Sequence, residues 1–143
     1  MTSQELKEFL DEKADFYEQK QFIQNDPILI PHEFDSKLDT EISGFLISII
    51  SWGNRKSIIN SGYKIIDLLD HSPSDFILNH SHNDLKNING SIHRTFNSED
   101  LVYFIKSLKN IYTNYNGIEG IMSNPNNGEN LQERISIFKK IFF

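Results

Sequence analysis

The sequence predicts an all-α protein, a compact multi-helix domain with several short helices and no substantial sheet. Apolar residues recur at spacings of three and four along most of the chain, and capping residues precede several of these stretches. No segment gives a convincing strand pattern, because the isoleucines, although strand-prone, recur at helical spacing. The 143 residues, 38% of them hydrophobic, predict one domain over residues 1–143.

The first helix is predicted over residues 3–20, with Ser3 as its N-cap and an apolar face on one side. This face consists of Leu6, Phe9, Leu10, Phe16 and Tyr17. Two prolines in residues 21–35 predict an extended loop, since the residue before a proline avoids the α region. The second helix should run from residue 36 or 39 to 51 and lie centrally, because it is apolar on nearly every side.

The third helix is predicted over residues 55–70. In the joint before it, Gly53 is expected to close the preceding helix, Asn54 to cap the next, and Trp52 to pack at the crossing. Further along, short helices are expected after the SPSD and HND motifs, and residues 91–96 should be irregular. A long helix follows, capped by Asn97 or Ser98.

The last helix is predicted over residues 131–143, and it ends on the apolar residues IFF. One side of it consists of the apolar residues Ile135, Phe138, Ile141 and Phe142. Chain ends are normally solvated, so either the final phenylalanines dock on the core or the chain continues in a longer protein. We expect the second, and with it an exposed apolar C-terminal surface that could drive self-association.

Composition narrows the function classes. The net charge of −6 argues against a dedicated nucleic-acid binder, although a local basic patch remains compatible with it. The absence of cysteine excludes disulfides and suits a cytoplasmic location. No apolar run approaches the roughly 18 residues of a membrane span, so no membrane association is predicted. No phosphate-loop, HExxH or GxSxG motif occurs. His80 and His82 are the only close pair of histidines, and we expect them in a solvated loop. Neither a metal nor a cofactor is therefore predicted.

The motif SWGNRKSI, residues 51–58, is the first candidate site. Arg55 and Lys56 follow the cap Asn54 at the first two helical positions, where the dipole disfavours cations by about 0.3–1 kcal/mol each. Free backbone N–H groups at the same end attract anions, so these three residues predict an anion or phosphate site. The alternative is two solvated side chains that carry a small electrostatic penalty.

A second candidate is the motif SIHRTF, residues 91–96, because an arginine on a loop can bind phosphate with two hydrogen bonds. His93 and Arg94 are its candidate ligands, and the alternative is an arginine that ties the loop to nearby acids. The site is favoured if both motifs share one face. Secondary candidates are Trp52, His32 and Asp39. Asp39 belongs to a cluster of acids near His32, and the favourable interaction of acids with a helix N-terminus explains this cluster better than catalysis does.

Four motifs together, NDPILIPHEF, DTEISGFLISIISWGNRKSI, DFILNH and IHRTFNSEDLVYFIKSL, resemble an uncharacterised bacterial family catalogued as domain of unknown function 2400. The resemblance covers about residues 9–143 and implies no activity. It implies that the chain is the N-terminal part of a longer family protein, whose later basic segment and arginine-rich helix are not in this sequence. The helix pattern is more weakly similar to helix-hairpin-helix DNA glycosylases, but their hairpin and catalytic residue have no counterpart here.

Three functions remain open from the sequence, and whether the protein is an enzyme is left undecided. The leading prediction is a nucleic-acid-related protein, glycosylase-like in its helices, in which the two motifs bind phosphate. The first alternative is a helical scaffold or protein-interaction domain without catalysis. The second is an enzyme that binds a small anion or a nucleotide through Arg55 and Lys56.

Overall fold

A computed structural model describes all 143 residues and confirms the all-α prediction. Nine α-helices and three short 3-10 helices surround one core, and the only strands form a two-stranded hairpin. The α-helices are α1 Ser3–Tyr17, α2 Lys20–Ile23, α3 Lys37–Ile50, α4 Arg55–Leu68, α5 Pro73–Asn79, α6 His82–Asn87, α7 Ser98–Asn114, α8 Gly117–Ser123 and α9 Leu131–Phe142. The strands are β1 Ser91–His93 and β2 Phe96–Asn97, and the 3-10 helices are Pro27–Leu29, Pro31–Glu33 and Pro125–Asn127.

Helix α3 is the central helix, as its apolar sequence predicts. Ser36 caps it by accepting a hydrogen bond from the Asp39 N–H. Helix α3 packs against α4 and α5, and the two 3-10 helices that precede α3 also contact it. Its Phe45 joins an aromatic cluster contributed by α7 and α9, which consists of Phe45, Phe104, Phe138 and Phe142. The core therefore extends from α4 to the last turn of the chain.

The extended loop predicted over residues 21–35 is wrong, because this stretch folds into α2 and two 3-10 helices. Proline opens both 3-10 helices, since its fixed φ suits a first helical position. The rule for the residue before proline holds at Asp26, which is extended, but fails at Ile30, which is α-helical. Ile30 is fully buried, so packing overrides the local preference there. We call residues 27–33 the proline segment.

Two smaller predictions also need correction. Thr2, not Ser3, caps α1, in a reciprocal capping box with Glu5. The motif of residues 91–96, predicted to be irregular, forms most of the β-hairpin.

The two chain ends differ in their packing. Phe142 is only 2% exposed and docks on the core, whereas Phe143 is 73% exposed. Leu131 and Ile135 are the other exposed large apolar residues of α9, and α1 buries none of its residues. None of the helices combines the length and the apolar character needed to cross a membrane.

Candidate functional site

The structure brings the two candidate motifs onto one face. The link is His93, whose ring is 2% exposed and lies between the turn of residues 51–54 and helix α4. Its Nε2 is 3.3 Å from the Trp52 carbonyl, which can only accept, so Nε2 donates this hydrogen bond. In the neutral ring the Ser61 hydroxyl then donates to Nδ1 at 2.9 Å. Both nitrogens are occupied inside the protein, so His93 holds the hairpin against the turn and leaves direct ligand contact to its neighbours.

The Arg94 side chain lies over the turn. Its guanidinium carbon is 4.7 Å from the centre of the Trp52 ring, a cation–π arrangement. Gly53, at φ +106°, makes this approach possible, because a Cβ at that position would lie 2.3 Å from an Arg94 nitrogen. Arg94 itself has φ +50°, a backbone conformation that arginine rarely adopts. The hairpin tip is thus shaped to place this cation on the tryptophan.

Trp52 does not fill the helix crossing, so that prediction is wrong. The side chain is 45% exposed, with its ring edge-on to His93 at 5.8 Å. The reason is the end of α3 at Ile50, which leaves residue 52 beyond the last turn and off the face between the helices. Gly53 has the predicted positive φ but lies two residues after the C-cap Ser51, one later than expected.

Helix α4 begins as predicted. The Asn54 side chain caps it by accepting from the Ser57 N–H at 3.1 Å, so its amide oxygen is engaged within the protein. The N–H groups of Arg55 and Lys56 donate to no protein group. Lys56 is exposed and, like Arg94, forms no ion pair. The first turn of α4 therefore carries two free N–H groups and one unpaired cation, Lys56, and a second unpaired cation, Arg94, lies over the turn that precedes it.

Arg55 turns the other way. Its guanidinium is 3.7 Å from the Asp26 carboxylate and lies over the ring of Phe22 at 5.5 Å. Asp26 has a second task, because its Oδ1 accepts from the Ile28 N–H and caps the first 3-10 helix. The carboxylate offsets the unfavourable position of Arg55 in the α4 dipole. Arg55 thus fits the alternative of a solvated side chain whose electrostatic penalty is offset, while Lys56 is exposed without an acidic partner.

A cleft of about 480 Å³ opens beside this ion pair, between the proline segment and α3. His32, a secondary candidate, contributes to its rim. Tyr63 of α4 donates to Glu33, the last residue of the proline segment, at 2.6 Å, and this hydrogen bond, with partial burial, raises the pKa of Tyr63 to about 12. The lining consists of Asp26, Pro27, Ile28, Pro31, His32, Thr40, Gly44, Ile47, Ser48 and Ser51. Sequence reasoning missed the cleft, and its only local signals were the two prolines and Gly44, which faces Pro31.

The acids around Asp39 have structural roles. Asp39 accepts from the Ser74 N–H at 2.7 Å and so caps α5, since the side chain of Ser72 makes no capping bond. Glu41 accepts from the Tyr112 hydroxyl and from the Glu119 N–H, which joins α3 to α7 and α8. Burial and this hydrogen bond raise the pKa of Tyr112. No group of three His, Cys, Asp or Glu side chains is arranged to hold a metal ion.

Comparison with known proteins adds a family. The model of the family described as "Protein of unknown function (DUF2400)" matches residues 26–143, which include every candidate residue above. No curated protein and no solved structure matches the chain. None of the comparisons shows the similarity to DNA glycosylases that the helix pattern suggested.

Proposed function

Because the chain belongs to the DUF2400 family of proteins of unknown function, we propose its activity from the site alone. The protein binds a phosphate-bearing ligand, nucleic acid in particular, at the start of α4. The ligand contacts Lys56, Arg94, Trp52 and the free N–H groups of the first helical turn. We call this surface the α4 face.

The observation that supports the proposal is the pair of unpaired cations beside free helix N–H groups. Most basic side chains of the chain form no ion pair, so it is position that distinguishes these two. Lys56 stands in the open first turn of α4, and Arg94 lies over the exposed ring of Trp52. Phosphate oxygens would take hydrogen bonds from the guanidinium and from the helix N-terminus, where the dipole also favours negative charge.

Trp52 favours nucleic acid over an isolated anion. An exposed aromatic ring next to cations offers a base a stacking surface, and such stacking contributes roughly 1–3 kcal/mol per base. Arg94 covers part of this ring, and Trp52 nevertheless remains 45% exposed. An inorganic anion would need the cations but would gain nothing from the tryptophan.

The proposal is tested by fluorescence anisotropy with a labelled single-stranded oligonucleotide at several salt concentrations. We expect the double variant Lys56→Ala/Arg94→Ala to bind more weakly. Its salt slope should fall by about 0.7 for each phosphate that the variant no longer neutralises. The matched control is Lys139→Ala/Lys140→Ala, which removes two exposed lysines from α9, a helix that packs on α7 and α8. The control should bind as the wild type does.

Equal affinity and equal salt slope in the wild type and the double variant would contradict the proposal. Binding of inorganic phosphate with the same dependence on Lys56 and Arg94, but no gain from an oligonucleotide, would instead favour the small-anion alternative. Concentration-dependent association without any ligand binding would favour the scaffold alternative, which size-exclusion chromatography measures.

A further inference from the structure

We propose that the cleft between the proline segment and α3 binds a flat heterocycle that carries an amino group, with Asp26 as the acceptor of its hydrogen bond. The chemistry is that of an aminated nucleobase, either in a free nucleoside or in a strand. Naming a nucleobase rests on the proposed function, whereas the preference for hydrogen-bond donors rests on the cleft itself.

The shape and the walls fit a small apolar body. A volume of about 480 Å³ lies within the range of roughly 300–1,000 Å³ that is common for small-molecule sites. Pro27, Ile28, Pro31 and Ile47 provide apolar walls. Gly44 stands opposite Pro31 and keeps the space between them open, since a Cβ there would meet the Pro31 Cβ at 3.7 Å.

Most polar side chains in the lining already use their hydrogen-bond donors within the protein. Ser48 donates to the Phe45 carbonyl and Ser51 to the Ile47 carbonyl, each at 2.7 Å. The Thr40 hydroxyl donates to backbone carbonyls in the same way. Each hydroxyl therefore offers the cleft only lone pairs. His32 is the exception, because its ring nitrogens bond to no protein group and one of them can donate. The other polar side chains of the lining offer acceptors.

Asp26 is the strongest of these acceptors because it is charged. Its Oδ1 accepts from the Ile28 N–H at 3.1 Å, while its Oδ2 is 3.7 Å from Arg55 and accepts no hydrogen bond from protein. The carboxylate is mostly buried, with 22% of its side chain exposed. Hydrogen bonds to charged groups are stronger than neutral ones, so an amino group that reaches Oδ2 would decide which ligand binds.

The cleft also adjoins the α4 face. Ser51, in its lining, directly precedes Trp52, and Asp26 pairs with Arg55 at the first position of α4. A nucleotide with its base in the cleft would thus have cations near its phosphate. The two surfaces would recognise different parts of such a nucleotide. The cleft recognises the ring of the base, and the α4 face recognises the negative charge of the phosphate.

The test uses nucleosides, which carry no phosphate, and measures their dissociation constants by calorimetry. Adenosine and purine riboside differ only in the 6-amino group, and cytidine and pyrimidin-2-one riboside differ only in the 4-amino group. We expect the amino member of each pair to bind at least about tenfold more tightly, the scale of one hydrogen bond to a charged acceptor. Asp26→Asn keeps the cap of the 3-10 helix, since Asn caps as well as Asp, and should abolish this difference.

A second variant tests the cleft without touching its charge. Gly44→Ala leaves the fold in place, because the added methyl group makes only an ordinary contact with Pro31, but it narrows the cleft. It should weaken the binding of all four nucleosides. The control Asp67→Asn removes an exposed acid on α4 outside the cleft and should bind each nucleoside as the wild type does.

Three results would overturn the inference: no saturable binding of any nucleoside at millimolar concentration, equal affinity within each pair, or undiminished binding by Gly44→Ala. None of them depends on phosphate, so the α4 face stands or falls separately with its salt titration. The two sources are then separated by competition. A short oligoadenylate that displaces adenosine, where an abasic strand of equal length does not, identifies a base within a strand. Displacement by neither identifies the free nucleoside.

Discussion

The two terminal helices, α1 and α9, have similar sequences in physical terms and very different surroundings. Both begin with a side-chain cap, Thr2 for α1 and Asn130 for α9, and both carry apolar residues at helical spacing. Helix α9 buries Phe142 in the aromatic cluster and half-buries three further apolar side chains. Helix α1 leaves its whole apolar face exposed, from Leu6 to Tyr17.

Their polar contacts differ in the same way. In α1 they are all local, such as the ion pair of Lys7 with Asp11 one turn away. In α9, Arg134 donates to the carbonyls of Met122 and Gly128, and Tyr103 and Ser107 of α7 donate to the Phe142 carbonyl. Local signals thus determine that each segment is a helix, and contacts distant in sequence determine what each helix contributes to the fold. The family match, which starts at residue 26, includes α9 and leaves α1 outside.

The strongest test of this comparison is Phe142→Ala. The side chain packs against Tyr103 and the other rings of the aromatic cluster, so its removal should lower the free energy of unfolding by about 3–5 kcal/mol. Denaturant unfolding followed by circular dichroism measures the effect. The neighbouring Phe143→Ala, at an exposed position, is the control and should cost far less. Equal losses in both variants would show that α9 does not dock as described.

A smaller effect is expected for Arg134→Ala. The change removes two hydrogen bonds from a charged donor, at 2.9 and 3.1 Å, and should lower the free energy of unfolding by about 1–3 kcal/mol. Lys140→Ala on the same helix is the matched control, since Lys140 is exposed and forms no ion pair. The same denaturant experiment serves for both, and a neutral result for Arg134→Ala would make the polar contacts of α9 as dispensable as those of α1.

The smallest effect is expected in α1. The double variant Phe9→Ala/Leu10→Ala should change the free energy of global unfolding by less than about 0.5 kcal/mol, because neither side chain packs on the core. Helical content should not fall, since alanine is the best helix former. A loss above about 1 kcal/mol, measured in the same way, would reveal a packed partner for α1 and remove the contrast with α9.

The sequence was informative where a feature depends on neighbours within one or two turns. The caps Ser36, Asn54 and Asn97 and the central position of α3 were all predictable from such signals. Trp52, Arg94 and the cleft were different, because their arrangement depends on segments that are distant in sequence meeting in space. The prediction of an extended loop around the proline segment was wrong for a related reason, because the burial of Ile30 overrides the preference of a residue before proline for extended backbone.

Arg94 illustrates a conflict between stability and binding at a single position. Its left-handed backbone suits glycine or asparagine better than arginine, by an energy on the order of 1 kcal/mol. Glycine or asparagine at this position would relax the backbone of the hairpin, but it would also remove the cation above Trp52. If the α4 face binds phosphate as proposed, selection for a sturdier hairpin and selection for a ligand act against each other here. The strain at the hairpin tip then becomes a mark of adaptation for binding.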